Sequence, residues 1–192
     1  MAAIRALPLL AYPFLVYLAL QVAEPRLVAL VSLLLFGLRF AATSPRRLLA
    51  TSRLLLLPGL AAIGASAASM LWNDALCLLF TPALMSLSLL LAFGLSFLQR
   101  ETVVEGFARA QLGALPAEVS VYCRRLTMLW CAFFLGNGAI SLQLALRGSR
   151  QTWALYTGLI AYLAMGTLFA LEFAYRRWRF GRDAGAPAAM LI

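Results

Sequence analysis

The stretch YCRRLTMLWCAFFLGNGAI, Tyr122 to Ile140, gathers much of the reactive side-chain chemistry of this 192-residue chain. Arg124 and Arg125 carry guanidinium forks, the groups best shaped to hold phosphate or carboxylate oxyanions. Cys123 and Cys131 are thiols, and the Asn137 amide both donates and accepts. Further on, Glu172 precedes Arg176 by one helical turn, and Asp74 is a second acid flanked by apolar runs. Two carboxylates at close range could run acid–base catalysis, whereas arginines beside one acid would form an oxyanion-binding face.

What is missing narrows the chemistry. All 16 basic residues are arginine, with no lysine and no histidine, against seven acids. Histidine-nucleophile phosphatases, serine–histidine intramembrane proteases and histidine-dependent acyltransferases are thereby excluded as this chain's own activity. Schiff-base chemistry falls with the lysines. Cys77, Cys123 and Cys131 have neither histidine nor a second cysteine at metal-ligand spacing. They read as small buried hydrophobes, and no metal or cofactor is expected. No glycine-rich phosphate loop and no DGxxAR pattern of alcohol phosphotransferases occurs.

Composition dictates what positions these residues. At 64% hydrophobic and 12% charged, with mean hydropathy +0.90, the chain has more apolar surface than a soluble core of its length encloses. The reading is an all-α polytopic bundle in one transmembrane domain, residues 1–192. Since about 20 apolar residues cross the hydrocarbon core, six spans are expected at about 4–23, 27–42, 49–72, 75–98, 121–146 and 153–175. Ser44-Pro45 suits an N-cap and first position for the third. A cleaved signal peptide is the alternative for the first span. Its end, Gln21-Val22-Ala23, lacks a small-x-small cleavage pattern, so a retained helix kinked near Pro13 is preferred.

The arginines give an independent count of spans. With the N-terminus in the cytoplasm, Arg5, Arg39, Arg46, Arg47, Arg53, Arg100, Arg109, Arg124, Arg125, Arg176, Arg177, Arg179 and Arg182 fall inside, and Arg26, Arg147 and Arg150 outside. That asymmetry of 13 to 3 fits six spans with both termini cytoplasmic. In such a chain the +9 charge reports topology, not a nucleic-acid partner. Trp72, Tyr122, Trp153 and Trp178 are expected at the interfaces. Small residues at Ala61, Ala65 and Ser69, and at Ala62 and Ser66, make the third span a central packing element. Ala154 and Gly158 offer a shorter version in the sixth, and a homo-oligomer stays open.

Depth along the spans separates the polar residues. Asp74 and Glu172 fall at opposite ends of the bundle, so they do not form a catalytic pair. Glu172, level with Arg124 and Arg125, should pair with an arginine. That is either an ion pair locking two helices or a cytoplasm-facing pocket for a phosphate, phosphopantetheine or lipid headgroup. Asn137 lies about 18 Å deeper than Arg125, with Trp130, Phe133, Phe134 and Ser141 on its face and Tyr162 at its level. It reads as an interhelical hydrogen bond or as the lining of an outer-leaflet cavity, with Gly136 and Gly138 permitting close approach. Between Gln99 and Glu118, residues 102–112 could form an interfacial helix with Val103, Val104, Phe107, Ala108 and Leu112 on one stripe. Arg100, Glu101, Glu105 and Arg109 would then lie mostly away from it; a solvated loop is the alternative.

The segments RRLTMLWCAFFLGNGAI and WALYTGLIAYLAMGTLFALEFAYRR resemble a group of small bacterial inner-membrane proteins that accompany aryl-polyene and xanthomonadin-type pigment synthesis genes. VEGFAR, Val104 to Arg109, stands where that group has an IERLAR-like stretch. The likeness covers about the last 80 residues. It points to Glu105, Arg109, Arg124, Arg125, Trp130, Asn137, Gly138, Trp153, Tyr156, Gly158, Tyr162, Gly166 and Glu172. Thr157 stands where the group's LYNG-like run has asparagine, which weakens any requirement for an amide there. The resemblance implies a setting in which polyene chains on acyl carrier protein are moved onto a membrane lipid. A non-catalytic subunit that docks those enzymes or holds the lipid product is the leading expectation. Its partners would be membrane lipid, acyl carrier protein and membrane-associated biosynthetic enzymes. A small lipid or polyene flippase, with Asn137 and Glu172 on one path, and an acyl-lipid enzyme using Glu172 or Asp74 are the alternatives.

Overall fold

A computed structural model of the protein describes residues 2–41, 56–113 and 115–180. Among these, every regular element is helical. The order is α1 (Ala2–Val22), α2 (Pro25–Ala41), α3 (Leu57–Trp72), α4 (Ala75–Leu79), α5 (Thr81–Leu95, continued by a 3₁₀ turn Ser96–Leu98), α6 (Val103–Leu112), α7 (Ala117–Arg147), α8 (Arg150–Leu155), a π turn Tyr156–Ile160, and α9 (Ala161–Phe180). The expected cap at Ser44-Pro45, the start of the third span, Arg46, Arg47, Arg53 and Arg182 lie outside the described residues.

Among the described residues, three helical stretches are long and apolar enough to cross a membrane: Thr81–Leu98, Ala117–Arg147 and Arg150–Arg179. Tyr12–Val22, Pro25–Leu38 and Leu57–Trp72 are shorter apolar helices. Exposure is inverted relative to a water-soluble protein. Leu18, Leu38, Leu71, Leu135, Leu163 and Phe169 are exposed, while Ser66, Ser69, Thr81, Thr127 and Ser141 are buried. Where lipid solvates leucine as well as a protein core does, helices associate through small and hydroxyl side chains.

Helix α3 illustrates this. Ala62, Ala65, Ser66 and Ser69 are the buried face of α3, which packs between α2 and α5. Neighbouring helices run antiparallel, and hydrogen bonds tie their turns together at one end. Arg26, at the start of α2, donates from Nε to the Met70 carbonyl at 3.1 Å, and its N–H reaches Asn73 Oδ1 at 3.0 Å. Arg150, opening α8, donates to the Leu20 carbonyl at 3.3 Å. Both guanidiniums thus satisfy carbonyls in a last helical turn, where the helix dipole also favours a cation. Asn73 ends α3 at φ 53°, the left-handed conformation asparagine tolerates. The Asp74 carboxylate caps α4 by accepting from Leu76 N–H at 2.8 Å.

Two features depart from uninterrupted spans. The expected 75–98 helix breaks at Phe80 between α4 and α5, because Pro82 has no N–H to continue the helical ladder and its ring crowds the preceding turn. Trp153 turns inward to this break. Its indole N–H donates to the Leu79 carbonyl at 2.9 Å, and the side chain is fully buried among Val16, Leu78 and Ala154. It is therefore a core residue and not the interfacial anchor its position suggests, whereas Trp72 and Trp178 are exposed. Between α8 and α9 a π turn intervenes at Tyr156–Ile160. Pro13 sits within a continuous helical α1.

Candidate functional site

Two separate sites emerge, one at each end of the Arg125–Asn137 stretch of α7. The first is a groove of about 750 Å³ between α7 and α9. The backbones of these two helices stand apart along most of their length, and aromatic and polar side chains bridge the space. Trp130 and Phe169 meet with ring centroids 4.5 Å apart, and Tyr122 stacks on Tyr175 at 6.0 Å. Leu126, Leu129, Leu168 and Leu171 wall the apolar length of the groove, while Glu118, Arg125, Glu172 and Arg179 contribute to its polar lining.

Glu172 is answered from both helices. The Tyr122 hydroxyl donates to its Oε1 at 2.8 Å, and Arg176 Nε stands 3.4 Å from the same oxygen. The Arg176 contact is an ion pair without hydrogen-bond geometry at Nε, which is buried and otherwise unsatisfied. Glu172 thus pairs with the arginine on its own helix and not with Arg124 or Arg125. The arginine pair is split. Arg125 faces the groove, exposed and without a carboxylate partner among the described residues, whereas Arg124 lies over the Phe97 ring at 5.7 Å. Tyr122 is the partner that sequence reasoning missed, since it was assigned to interfacial anchoring alone.

The connection before α7 is built into the same end. Thr102 and Glu105 form a reciprocal capping box on α6: Thr102 Oγ1 accepts the Glu105 N–H at 3.4 Å, and Glu105 Oε2 accepts the Thr102 N–H at 3.3 Å. Ser120 donates to Glu105 Oε1, pinning α6 to the foot of α7. Glu105 is consequently buried instead of turned away from the apolar face, and Phe107 of the expected stripe is exposed. The Thr-x-x-Glu spacing was a readable signal for this. Arg109 pairs with Glu101 at 2.9 Å on the surface.

The second site lies about 18 Å along α7 from Arg125. Asn137 Nδ2 donates to Ser86 Oγ at 2.9 Å, Tyr156 donates its hydroxyl to Asn137 Oδ1 at 3.1 Å, and Ser86 donates onward to the Pro82 carbonyl at 2.9 Å. One hydrogen-bonded chain thus links the π turn, α7 and α5. Gly138 makes the approach possible, because a Cβ there would stand 3.2 Å from Ser86 Cβ; Gly136 faces open space. Gly158 is equally committed, since a Cβ there would fall 2.5 Å from the Phe14 ring of α1. Asn137 lines a cavity together with Tyr162, as its depth implies, and with Ser86, Ser141 and Thr157. Tyr156 bonds Asn137 directly, and Tyr162 lines the same cavity.

Chemically, neither site presents a nucleophile with an adjacent base. Asp74 is engaged in capping, and Glu172 is engaged by Tyr122 and Arg176. The three cysteines are free, and no group of three potential His, Cys, Asp or Glu metal ligands forms among the described residues. Asn137 and Glu172 line different cavities. No family model matches the chain, and neither a curated protein nor a solved structure matches it.

Proposed function

We propose that this chain is a multi-pass protein of the bacterial inner membrane, with six spans and both ends in the cytoplasm. It holds an acyl-chain lipid for cytoplasmic enzymes without catalysing a step itself. In this reading the lipid is the product of an aryl-polyene-type pathway, and its suppliers are acyl-carrier-protein-linked enzymes docking at the arginine-rich face. The groove between α7 and α9 carries the proposal. It is shaped for an amphiphile: Arg125 offers a guanidinium to an oxyanion head, and four leucines offer a wall to a hydrocarbon tail. Glu172 does not cancel Arg125, because Tyr122 and Arg176 already engage it. The distribution of 13 arginines against 3 supports the orientation, placing the polar end of the groove at the cytoplasmic face.

Deleting the gene and profiling membrane lipid and pigment by mass spectrometry tests this reading. The expected outcome is loss of the lipid-linked polyene from the membrane while carrier-linked chains persist in the cytosol. Unchanged lipid and pigment profiles would overturn it.

A further inference from the structure

The cavity at Asn137 is distinct from the arginine groove, and among the described residues no charged side chain lines it. Its volume is about 140 Å³. A cavity of about 150 Å³ walled by aliphatic and aromatic side chains holds one benzene ring. Here Phe133, Phe134, Tyr162, Met85 and Met165 supply aromatic and polarisable walls.

Among the polar groups of the lining, Ser141 stands apart. Ser141 is fully buried, lines this cavity, and its Oγ has no hydrogen-bond partner. Its behaviour differs from that of its counterparts. Ser66, Ser86, Ser88, Thr127 and Thr157 each donate to the carbonyl four residues back in their helix. Ser141 lies within α7 with the same register available at the Asn137 carbonyl, and does not use it. A buried hydroxyl left unmade is costly, so one that forgoes the local bond beside a cavity is arranged to meet something there. Beside it, Asn137 retains one N–H and one acceptor lone pair after its bonds to Ser86 and Tyr156. The π turn, a feature that recurs at functional sites, contributes Thr157 to the same wall.

We propose that this cavity binds a single uncharged aromatic ring bearing a hydroxyl, a phenol-class ligand, with the ring against the aromatic and methionine walls and its hydroxyl on Ser141 Oγ. The lack of a counter-charge disfavours ions, and the volume admits one ring. Ordered water alone is the competing occupant.

Full-length protein in detergent micelles is titrated with 4-fluorophenol and, separately, fluorobenzene, and the bound fluorine resonance is read against protein-free micelles. Both probes should saturate a single site, 4-fluorophenol the more tightly. Ser141→Ala should weaken 4-fluorophenol about fivefold, the worth of one hydrogen bond, and leave fluorobenzene within about twofold. Ala161→Leu, which fills a wall position, should abolish both. Absence of a saturable bound resonance in the wild-type protein leaves water as the occupant and overturns the proposal. So does a Ser141→Ala variant that binds 4-fluorophenol as the wild type does. These two results decide the matter even where Ala161→Leu fails to fold.

Discussion

The Tyr122 hydroxyl donates to Glu172 Oε1 at 2.8 Å, joining the foot of α7 to the last helix across a gap that their backbones leave open. The Glu172 side chain is only 11% exposed, so this bond and the Arg176 ion pair hold a carboxylate mostly withdrawn from solvent. Tyr122→Phe removes the bond and keeps the ring. It is expected to lower stability by about 1–2 kcal/mol, measured by unfolding in detergent. Wild-type stability in that variant would mean that the contact contributes nothing.

Trp153 presents a sharper case. Its indole N–H satisfies the Leu79 carbonyl at the break before Pro82, in a fully buried position. Trp153→Phe leaves that carbonyl without this donor and is expected to cost about 1–3 kcal/mol. The unfolding midpoint should fall well below that of Trp72→Phe, whose side chain is 72% exposed.

Much of the helical architecture was legible because apolar length and polar breaks are local properties of the chain. The turns at Glu24-Pro25-Arg26 and Asn73-Asp74 separate α1 from α2 and α3 from α4. The separation of Asn137 from Arg125 was also legible, since rise per residue fixes it in an unbroken helix. Its partners were not, because Ser86 and Tyr156 come from two other elements, the second of them a π turn. Periodicity cannot report a rotation between helices. Glu105 was placed by its apolar neighbours, yet a capping box and Ser120 together outweigh the cost of burying it.

The two glycines around Asn137 separate packing from propensity. Gly138→Leu must displace Ser86 and should lower stability by about 1–3 kcal/mol. Gly136→Ala faces open space and should be neutral or stabilising by up to about 1 kcal/mol. Thermal unfolding of the two variants side by side checks the contrast.

The α6 latch is testable by hydrogen exchange. Ser120→Ala removes the donor to Glu105 Oε1, and Glu105→Ala removes the capping box as well. Exchange at the Val103–Leu112 amides should rise in the first variant and rise further in the second, with the amides of α7 beyond Cys123 unchanged. Equal protection in all three proteins would mean that α6 is held by its apolar contacts alone.

Native mass spectrometry of co-purified lipid, comparing Arg125→Ala with Arg124→Ala, tests the proposed lipid-holding groove most directly. Arg125 lines the groove and Arg124 lies over Phe97, so neighbouring substitutions of the same charge separate groove binding from general cationic attraction. The Arg125 variant should lose most of its bound anionic lipid while the Arg124 variant retains the wild-type amount. Equal retention in both, or equal loss in both, would contradict a groove that holds the lipid by Arg125.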